Sequence, residues 1–214
     1  MPAAATKPAN DKATNKRGAT RSRMVLSAAE VLRERGAAGV TIDEVLTRSG
    51  APRGSVYYHF PEGRNQLVTE ALRFAGDAIT AIIDDEVDHG GIPLVRKFVQ
   101  FWERTLVGSD FTAGCPVVAA AIGSADDDPA LTTVAGEIFD RWRGALTRAF
   151  MADGFDRADA ASLAVTCIAS LEGAMMLCRS TRSADPLRDV AQQLEFLIKS
   201  REFVRRYGMP GAER

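Results

Sequence analysis

Apolar residues recur at three- and four-residue spacing over most of the chain, and no segment alternates apolar and polar residues as a half-buried strand does. Glycine, proline and helix-capping residues separate these periodic segments. We therefore predict an all-α fold. The predicted helices cover, in order, residues 20–35, 41–49, 52–60, 64–85, 93–106, 116–123, 129–153, 156–179 and 186–200.

Two of these segments carry a more specific expectation. One helical stripe of the long segment 64–85 should face the interior, and it holds Leu67, Ala71, Phe74, Ala78 and Ile82. The segment 117–122 is apolar at every position, which predicts a helix that is buried on all sides.

The segment 41–67, TIDEVLTRSGAPRGSVYYHFPEGRNQL, combines two short predicted helices with a tight turn. Thr41 and Glu44 form a capping box at the start of the first helix, and Gly50 suits the left-handed conformation that often ends one. Pro52 is compatible with the first position of the second helix, because its missing N–H would have no partner there. The pattern is that of a helix-turn-helix, whose second helix enters the major groove of DNA.

The second helix has two distinct faces when successive residues are placed 100° apart. Val56 and Phe60 share the face that packs into a core, and Tyr58 lies roughly opposite. An aromatic cluster that only packs the small domain is the alternative, but it does not suit the outward Tyr58. Hydroxyl groups on the outward face can meet base edges or phosphates, and Arg and His suit phosphate oxygens. The candidate DNA contacts on and beside this helix are Arg53, Gly54, Ser55, Tyr57, Tyr58, His59 and Arg64.

The longer stretch 39–67, GVTIDEVLTRSGAPRGSVYYHFPEGRNQL, resembles without gaps the DNA-binding segment of the tetracycline-repressor (TetR) family of bacterial transcription regulators. FPEGRNQL and the later AGCPVVAAA resemble the LmrA-like branch of that family. Many relatives have a phosphate-binding lysine after the His-Phe pair, whereas this chain has Gly63, and the resemblance leaves Arg64 as the substitute. The resemblance implies that the DNA contacts are Thr41, Tyr57, Tyr58 and His59, with help from Arg53 and Ser55.

The resemblance also implies a three-helix DNA-binding domain followed by a helical domain for ligand binding and dimerisation. We predict a disordered basic tail at 1–19, the helix-turn-helix domain at 20–66 and the effector-binding and dimerisation domain at 67–207. The tail has almost no apolar side chain larger than alanine, too little to offset the entropy of ordering. Residues 1–60 have ten Lys or Arg against five Asp or Glu, so positive charge lies at the predicted DNA end. Whether the tail contacts DNA or only adds solubility stays open.

Candidate catalytic chemistry is sparse. The chain has two histidines, one of them in the predicted DNA-binding helix, and three cysteines without metal-ligand spacing, Cys115, Cys167 and Cys178. Cys115 stands at a helix start, where a thiol pKa can fall, but no base is evident beside it and buried thiols are common. The acidic triplet at 126–128 lacks the glycine and distal glutamate of a calcium loop and fits a helix cap. We expect no catalytic site, no metal site and no cofactor.

Large aromatic and thioether side chains occur on several helices of the predicted C-terminal domain, where they either line an adaptable apolar pocket or form ordinary core. The resemblance favours the pocket, since relatives bind small, often drug-like molecules among these helices. The candidate ligand-binding residues are Phe98, Phe101, Trp102, Phe139, Trp142, Met175 and Met176.

Together these features predict a cytoplasmic, homodimeric transcriptional regulator, a repressor that binds a palindromic double-stranded operator and is released by a small apolar or aromatic effector. Dimerisation is expected through the segments 156–179, which is rich in small residues, and 186–200. No uninterrupted apolar run approaches the roughly 18 residues of a membrane span, so no membrane partner is expected. The alternative is a helical small-molecule-binding protein or enzyme that retains a helix-turn-helix lobe.

Overall fold

The computed structural model describes residues 9–123 and 129–208, with side chains over 18–123 and 130–208. Within these ranges the chain is helical and has no strand, as the predicted all-α class requires. The acidic triplet at 126–128 lies outside the described residues. The helices are α1 (Ala9–Gly39), α2 (Ile42–Ser49), α3 (Val56–His59), α4 (Arg64–Glu86), α5 (Gly91–Gly108), α6 (Pro116–Gly123), α7 (Pro129–Ala152), α8 (Arg157–Thr181) and α9 (Asp185–Tyr207).

Helix α1 differs from its prediction at its start. It begins at Ala9, so the expectation of a disordered tail is wrong for residues 9–19, while residues 1–8 lie outside the described part. A helix that is already nucleated by a packed segment extends at little cost per added residue, which explains the difference. At the other end Gly36 has a φ of 73° and interrupts the helical geometry, so the regular helix ends where predicted.

Helices α1, α2 and α3 enclose one small core at the N-terminal end. Its fully buried side chains include Met24 and Val31 of α1, Val45 of α2 and Val56 of α3, together with Phe60 just after α3. A helix-turn-helix pair has too little apolar surface to be stable alone, and α1 supplies the missing wall.

Both ends of α2 are set by local capping. The Glu44 backbone N–H donates to Thr41 Oγ1 at 3.2 Å, and Gly50 is left-handed with a φ of 62°. Arg48 then fastens α2 to α1, because its Nε pairs with Glu44 at 2.8 Å and its two terminal nitrogens bind both Glu34 oxygens at 2.8 and 3.1 Å. Such a bidentate geometry fixes orientation as well as distance.

Helix α4 runs without interruption from the N-terminal lobe into the C-terminal body, packing on α1 and then on α7. The predicted buried stripe is correct at Leu67 and Ala71 but wrong beyond them, because Phe74 is 44% exposed. The buried face moves instead to Ile79 and Ile83. Residues four apart in a helix lie on a row that is inclined to the helix axis. The buried row of α4 therefore turns gradually around the helix, and α4 packs first on α1 and then on α7.

The C-terminal body is built on α7 and α8, which pack side by side with α4 next to α7 and α9 next to α8. The Asp159 N–H at the start of α8 donates to Asp156 Oδ1 at 2.9 Å, so the Asp156 carboxylate caps the helix. By length and composition α8 would also be able to cross a membrane, but it packs on α5, α7 and α9 as a core helix does. One stripe of α7 is buried throughout and holds Leu131, Val134, Ile138, Trp142, Leu146 and Phe150.

Helix α6 is less buried than its composition predicts. Val117 and Ala120 pack into the core, but Ile122 is 69% exposed, so the expectation of burial on every side is wrong. α6 packs on α1, α4 and α7 at the edge of the body, which leaves one of its sides at the surface of this protomer. Because the segment is apolar at every position, the sequence does not predict which side of α6 is exposed.

Candidate DNA-binding surface and effector cavity

The segment after the turn presents its aromatic residues outward. Val56 and Phe60 are fully buried, whereas Tyr57 and Tyr58 are 64% and 63% exposed. His59 is half-buried, with its ring centroid 5.0 Å from that of Tyr58 in an edge-on contact. This arrangement leaves an accessible aromatic face of the kind that a recognition helix presents to the major groove.

The backbone of this segment is compact and open on its outer side. A 3-10 turn at Arg53–Ser55 runs directly into the single turn of α3, and the Ser55 hydroxyl donates to the Pro52 carbonyl at 2.5 Å. A Cβ added at Gly54 would meet no heavy atom within 4 Å, so the protomer itself does not require glycine there. A surface that approaches the backbone closely, as DNA does, would require it.

Two further predicted contacts lie at the edges of this face. The Arg53 side chain is 89% exposed and 3.8 Å from Asp43 Oδ1, a pairing that contributes little at such exposure. Thr41 Oγ1 accepts the capping hydrogen bond from Glu44, which leaves the hydroxyl proton free to be donated. Both side chains are therefore accessible to phosphate oxygens.

Arg64 makes hydrogen bonds within the protein that its predicted role did not include. Its Nε donates to the Val40 carbonyl at 2.7 Å, its Nη2 to the Ala37 carbonyl at 2.5 Å and its Nη1 to Asn65 Oδ1 at 3.3 Å. The guanidinium thus joins the end of α1 to the start of α4. These bonds engage three of the five guanidinium N–H groups, so a phosphate contact by the remaining two stays a prediction.

A small enclosed cavity lies in the C-terminal body between α4, α5, α7 and α8. Its volume is about 20 Å³, room for about one water molecule. All four helices contribute apolar walls, so a larger ligand has to move them apart. The lining residues are Ile83, Leu94, Val95, Phe98, Trp142, Leu146, Cys167, Ile168, Leu171 and Glu172.

The predicted aromatic ligand residues form this cavity and the wall behind it. Phe98 and Trp142 line the cavity directly, with ring centroids 6.2 Å apart. Phe139 packs edge-on against Trp142, and Trp102 packs edge-on against Phe98 and Phe101. The rings of Phe101, Trp102 and Phe139 pack behind the lining residues and do not line the cavity themselves.

The two predicted methionines do not line the cavity. Met175 is buried in the core, whereas Met176 is 57% exposed on the outer side of α8. Neighbouring residues of a helix point about 100° apart, so one of such a pair faces away from the interior. The prediction is therefore wrong for Met176 as an interior ligand contact.

Glu172 lines the cavity and was not among the predicted residues. It is 8% exposed, its Oε1 has no hydrogen-bond partner, and the Cys115 thiol hydrogen-bonds to the carboxyl group. Burial raises the pKa of Glu172 to about 8, and the thiol contact opposes that rise only in part. The carboxyl is thus mostly protonated at neutral pH. The sequence contains one signal for this position. Glu172 lies four residues after Ile168 and three before Met175, a spacing that places it on the same inward face of an apolar helix.

The three cysteines are free and buried. Burial raises the pKa of each thiol, that of Cys167 to about 12, and the Glu172 carboxyl adds to the rise at Cys115. A protonated, buried thiol is a poor nucleophile, which argues against the catalytic alternative for Cys115. Within 18–123 and 130–208, no group of three His, Cys, Asp or Glu side chains is placed to hold a metal ion.

The loop between α5 and α6 joins the cavity region to α1. The Gly114 N–H donates to the Arg33 carbonyl at 2.8 Å, and Arg179 Nη2 on α8 donates to the Glu34 carbonyl at 3.0 Å. Gly114 adjoins Cys115, whose thiol contacts the cavity glutamate. The N-terminal lobe is therefore in contact with the body through this loop as well as through α4.

Comparison with known proteins places both halves of the chain in one family. Residues 25–71 match the family described as bacterial regulatory proteins, tetR family, and residues 92–193 match the transcriptional regulator LmrA/YxaF-like C-terminal domain. The uncharacterized HTH-type transcriptional regulator Rv0196 of Mycobacterium tuberculosis is 40% identical over 184 residues, which are 83% of this chain and 93% of that protein. The HTH-type transcriptional regulator LmrA of Bacillus subtilis is 25% identical over 185 residues, 85% of this chain and 98% of its own.

Solved structures agree with these matches. A TetR transcriptional regulator from Chloroflexus aurantiacus superposes with a TM-score of 0.73 at 28% identity, over 86% of this chain and 96% of that one. A TetR transcriptional regulator from Legionella pneumophila, at 20% identity, shares the fold with a TM-score of 0.75 over 83% and 96% of the two chains. The relatives are transcription regulators and not enzymes. The chain belongs to the TetR family of bacterial transcription regulators, in its LmrA/YxaF-like branch.

Proposed function

We propose that this protein is a homodimeric repressor, active in the cytoplasm, that binds a palindromic operator and releases it when a small apolar effector enters the C-terminal body. The observation that carries the proposal is the exposed pair Tyr57 and Tyr58 beside buried Val56 and Phe60. We assign residues 20–66 to DNA binding and 67–207 to effector binding and dimerisation. The family matches at 25–71 and 92–193 support that division.

The proposed DNA surface divides its tasks by chemistry. Tyr57, Tyr58 and His59 face base edges and sugar-phosphate, because aromatic hydroxyl and imidazole groups can donate and accept there. Thr41 and Arg53 hold the phosphates on either side and set the register. Ser55 and Gly54 belong to the same surface, Gly54 by allowing the backbone to approach closely.

The proposed dimer forms through α8 and α9. Both helices expose apolar side chains, namely Val165 and Met176 on α8 and Phe196 on α9, which are 50%, 57% and 69% exposed. Gly173 lies between the two α8 residues on the same helical face, so another helix can come close to the backbone. Two helices from each protomer then form a four-helix bundle around a two-fold axis.

The proposed release mechanism starts at the cavity. Ile83 on its wall belongs to α4, the helix that reaches the N-terminal lobe, and the loop at Gly114 reaches α1. A ligand that widens the cavity therefore moves both contacts of the lobe with the body. Since the two recognition helices of a dimer must lie about 34 Å apart, or a multiple of it, a small tilt spoils the fit. Operator DNA must in turn weaken ligand binding by the same factor, typically about 5- to 150-fold.

The proposal is tested by a mobility-shift titration with the DNA upstream of the protein's own gene. We expect the wild type to bind it and Tyr58→Ala to bind at least about ten-fold more weakly, because each half-site loses its contacts to this side chain. The fold should be unchanged, since Tyr58 is 63% exposed.

The matched control is Ile122→Ala near the end of α6, which removes an apolar side chain that is 69% exposed and lies outside α3 and the proposed dimer helices. We expect it to bind operator like the wild type. Equal affinities of Tyr58→Ala and the wild type for this DNA would show that α3 docks by another face.

A further inference from the structure

The effector cavity has one acidic group in an otherwise apolar wall. The lining side chains from α4, α5 and α7 are all aliphatic or aromatic, and α8 adds Cys167 and Glu172 as the titratable groups. The thiol of Cys115, the residue before α6, contacts the same carboxyl. A buried carboxyl in such a place destabilises the fold unless something binds to it, because a polar group without a partner loses its hydration.

The protein supplies this carboxyl with no counter-charge. No Lys or Arg is among the residues lining the cavity. The nearest basic residue along α8, Arg179, donates instead to the carbonyls of Glu34 and Thr112 at 3.0 and 2.8 Å. Glu172 Oε1 therefore has no hydrogen-bond partner, and the cavity wall around it is otherwise apolar.

We infer that the effector of this protein has an apolar body and one basic nitrogen, and that Glu172 binds the nitrogen while Phe98 and Trp142 hold the body. The inference rests on the proposed use of the cavity as the effector site. Charge-assisted hydrogen bonds are the strongest that a carboxylate makes, and their strength rises where water is excluded. Aromatic walls add attraction for a cation that passes over their faces.

Binding of an amine by Glu172 should release one proton from the protein. In the free protein the carboxyl is protonated at neutral pH, since burial raises the pKa of Glu172 to about 8. An ammonium ligand pairs with the carboxylate, so one proton leaves the carboxyl for the solvent as the ligand enters. A neutral ligand of the same shape releases none. Amine binding should therefore strengthen as pH rises towards 8, while binding of the neutral analogue should stay constant.

The test is a calorimetric titration with two probes of one shape, 4-phenylbutylamine and 4-phenyl-1-butanol. We expect the wild type to bind the amine at least about ten-fold more tightly than the alcohol, and Glu172→Gln to lose that preference without losing affinity for the alcohol. Titration in two buffers of different ionisation enthalpy should show one proton released by the amine in the wild type and none in the variant. Glu137→Gln, a substitution of an exposed glutamate on α7, should behave like the wild type.

Several outcomes would overturn the inference. They are equal binding of the two probes by the wild type, an amine preference that survives in Glu172→Gln, and no binding of either probe. If Glu172→Gln does not fold, the two probes are titrated into the wild type alone at pH 6, 7 and 8. A ratio of amine affinity to alcohol affinity that does not rise with pH contradicts the inference. Operator binding without probe, measured on the same preparations, separates this result from the proposed function. A wild type that binds operator but shows no amine preference retains the proposed function and loses only the role of Glu172.

Discussion

Gly173→Leu is expected to leave a folded monomer and to weaken operator binding by about two orders of magnitude or more, because a dimer holds two half-sites at once. A Cβ at Gly173 would meet no heavy atom within 4 Å of the protomer, so the larger side chain is accommodated there. Leucine also favours the helix by roughly 1 kcal/mol over glycine, which should keep the protomer stable. Its side chain projects instead into the space where the partner's helix has to pack.

Sedimentation velocity measures the oligomeric state directly, and the mobility shift measures operator affinity. The matched control is Gly136→Leu on α7, a helical glycine whose added Cβ would also meet nothing within 4 Å. We expect Gly136→Leu to remain a dimer. If Gly173→Leu sediments as an unchanged dimer, this face of α8 is not the interface.

The second large effect concerns stability and pH. Glu172 has a pKa raised from 4.5 to about 8 in the folded protein, so the folded state holds a proton that the unfolded state loses between these values. The contribution of Glu172 to the free energy of unfolding is fully present below pH 4.5, where both states are protonated. It is lost as pH rises from 4.5 through about 8. From pH 5.5 to 8.5 the wild type should lose about 3 kcal/mol of unfolding free energy that Glu172→Gln does not lose.

Urea unfolding at pH 5.5, 7.0 and 8.5 tests this difference. Glu172→Gln keeps the shape of the protonated acid without its titration, so the two proteins should be similar at pH 5.5 and the variant more stable at pH 8.5. Glu137→Gln again serves as the exposed control. Parallel pH profiles for the wild type and Glu172→Gln would mean that the carboxyl is solvated and ionised in the folded protein.

Helix ends that are set by local capping follow from the sequence, unlike the start of α1 and the end of α9. The Thr41 hydroxyl, Gly50 and the Asp156 carboxylate act on backbone groups within a few residues of themselves, so their effect does not depend on the rest of the fold. The split between outward Tyr58 and inward Val56 follows from the helical period in the same way.

Contacts between distant segments were not predictable. Phe74 and Ile83 belong to two apolar stripes of α4, and only the positions of α1 and α7 decide which stripe is buried. The contacts of Arg64 with the carbonyls of Ala37 and Val40 were not predictable either, because nothing local shows that these carbonyls lie beside it. Nothing local shows that the Glu172 carboxyl lies in a cavity wall either.

A hydroxyl-radical footprint on the DNA upstream of the protein's own gene reports binding, symmetry and spacing in one experiment. We expect two protected segments related by a two-fold axis, with centres about 34 Å apart or a multiple of it, and the loss of both in Tyr58→Ala. Protection of a single segment, or no protection by a protein that is folded and dimeric, would contradict the proposed function.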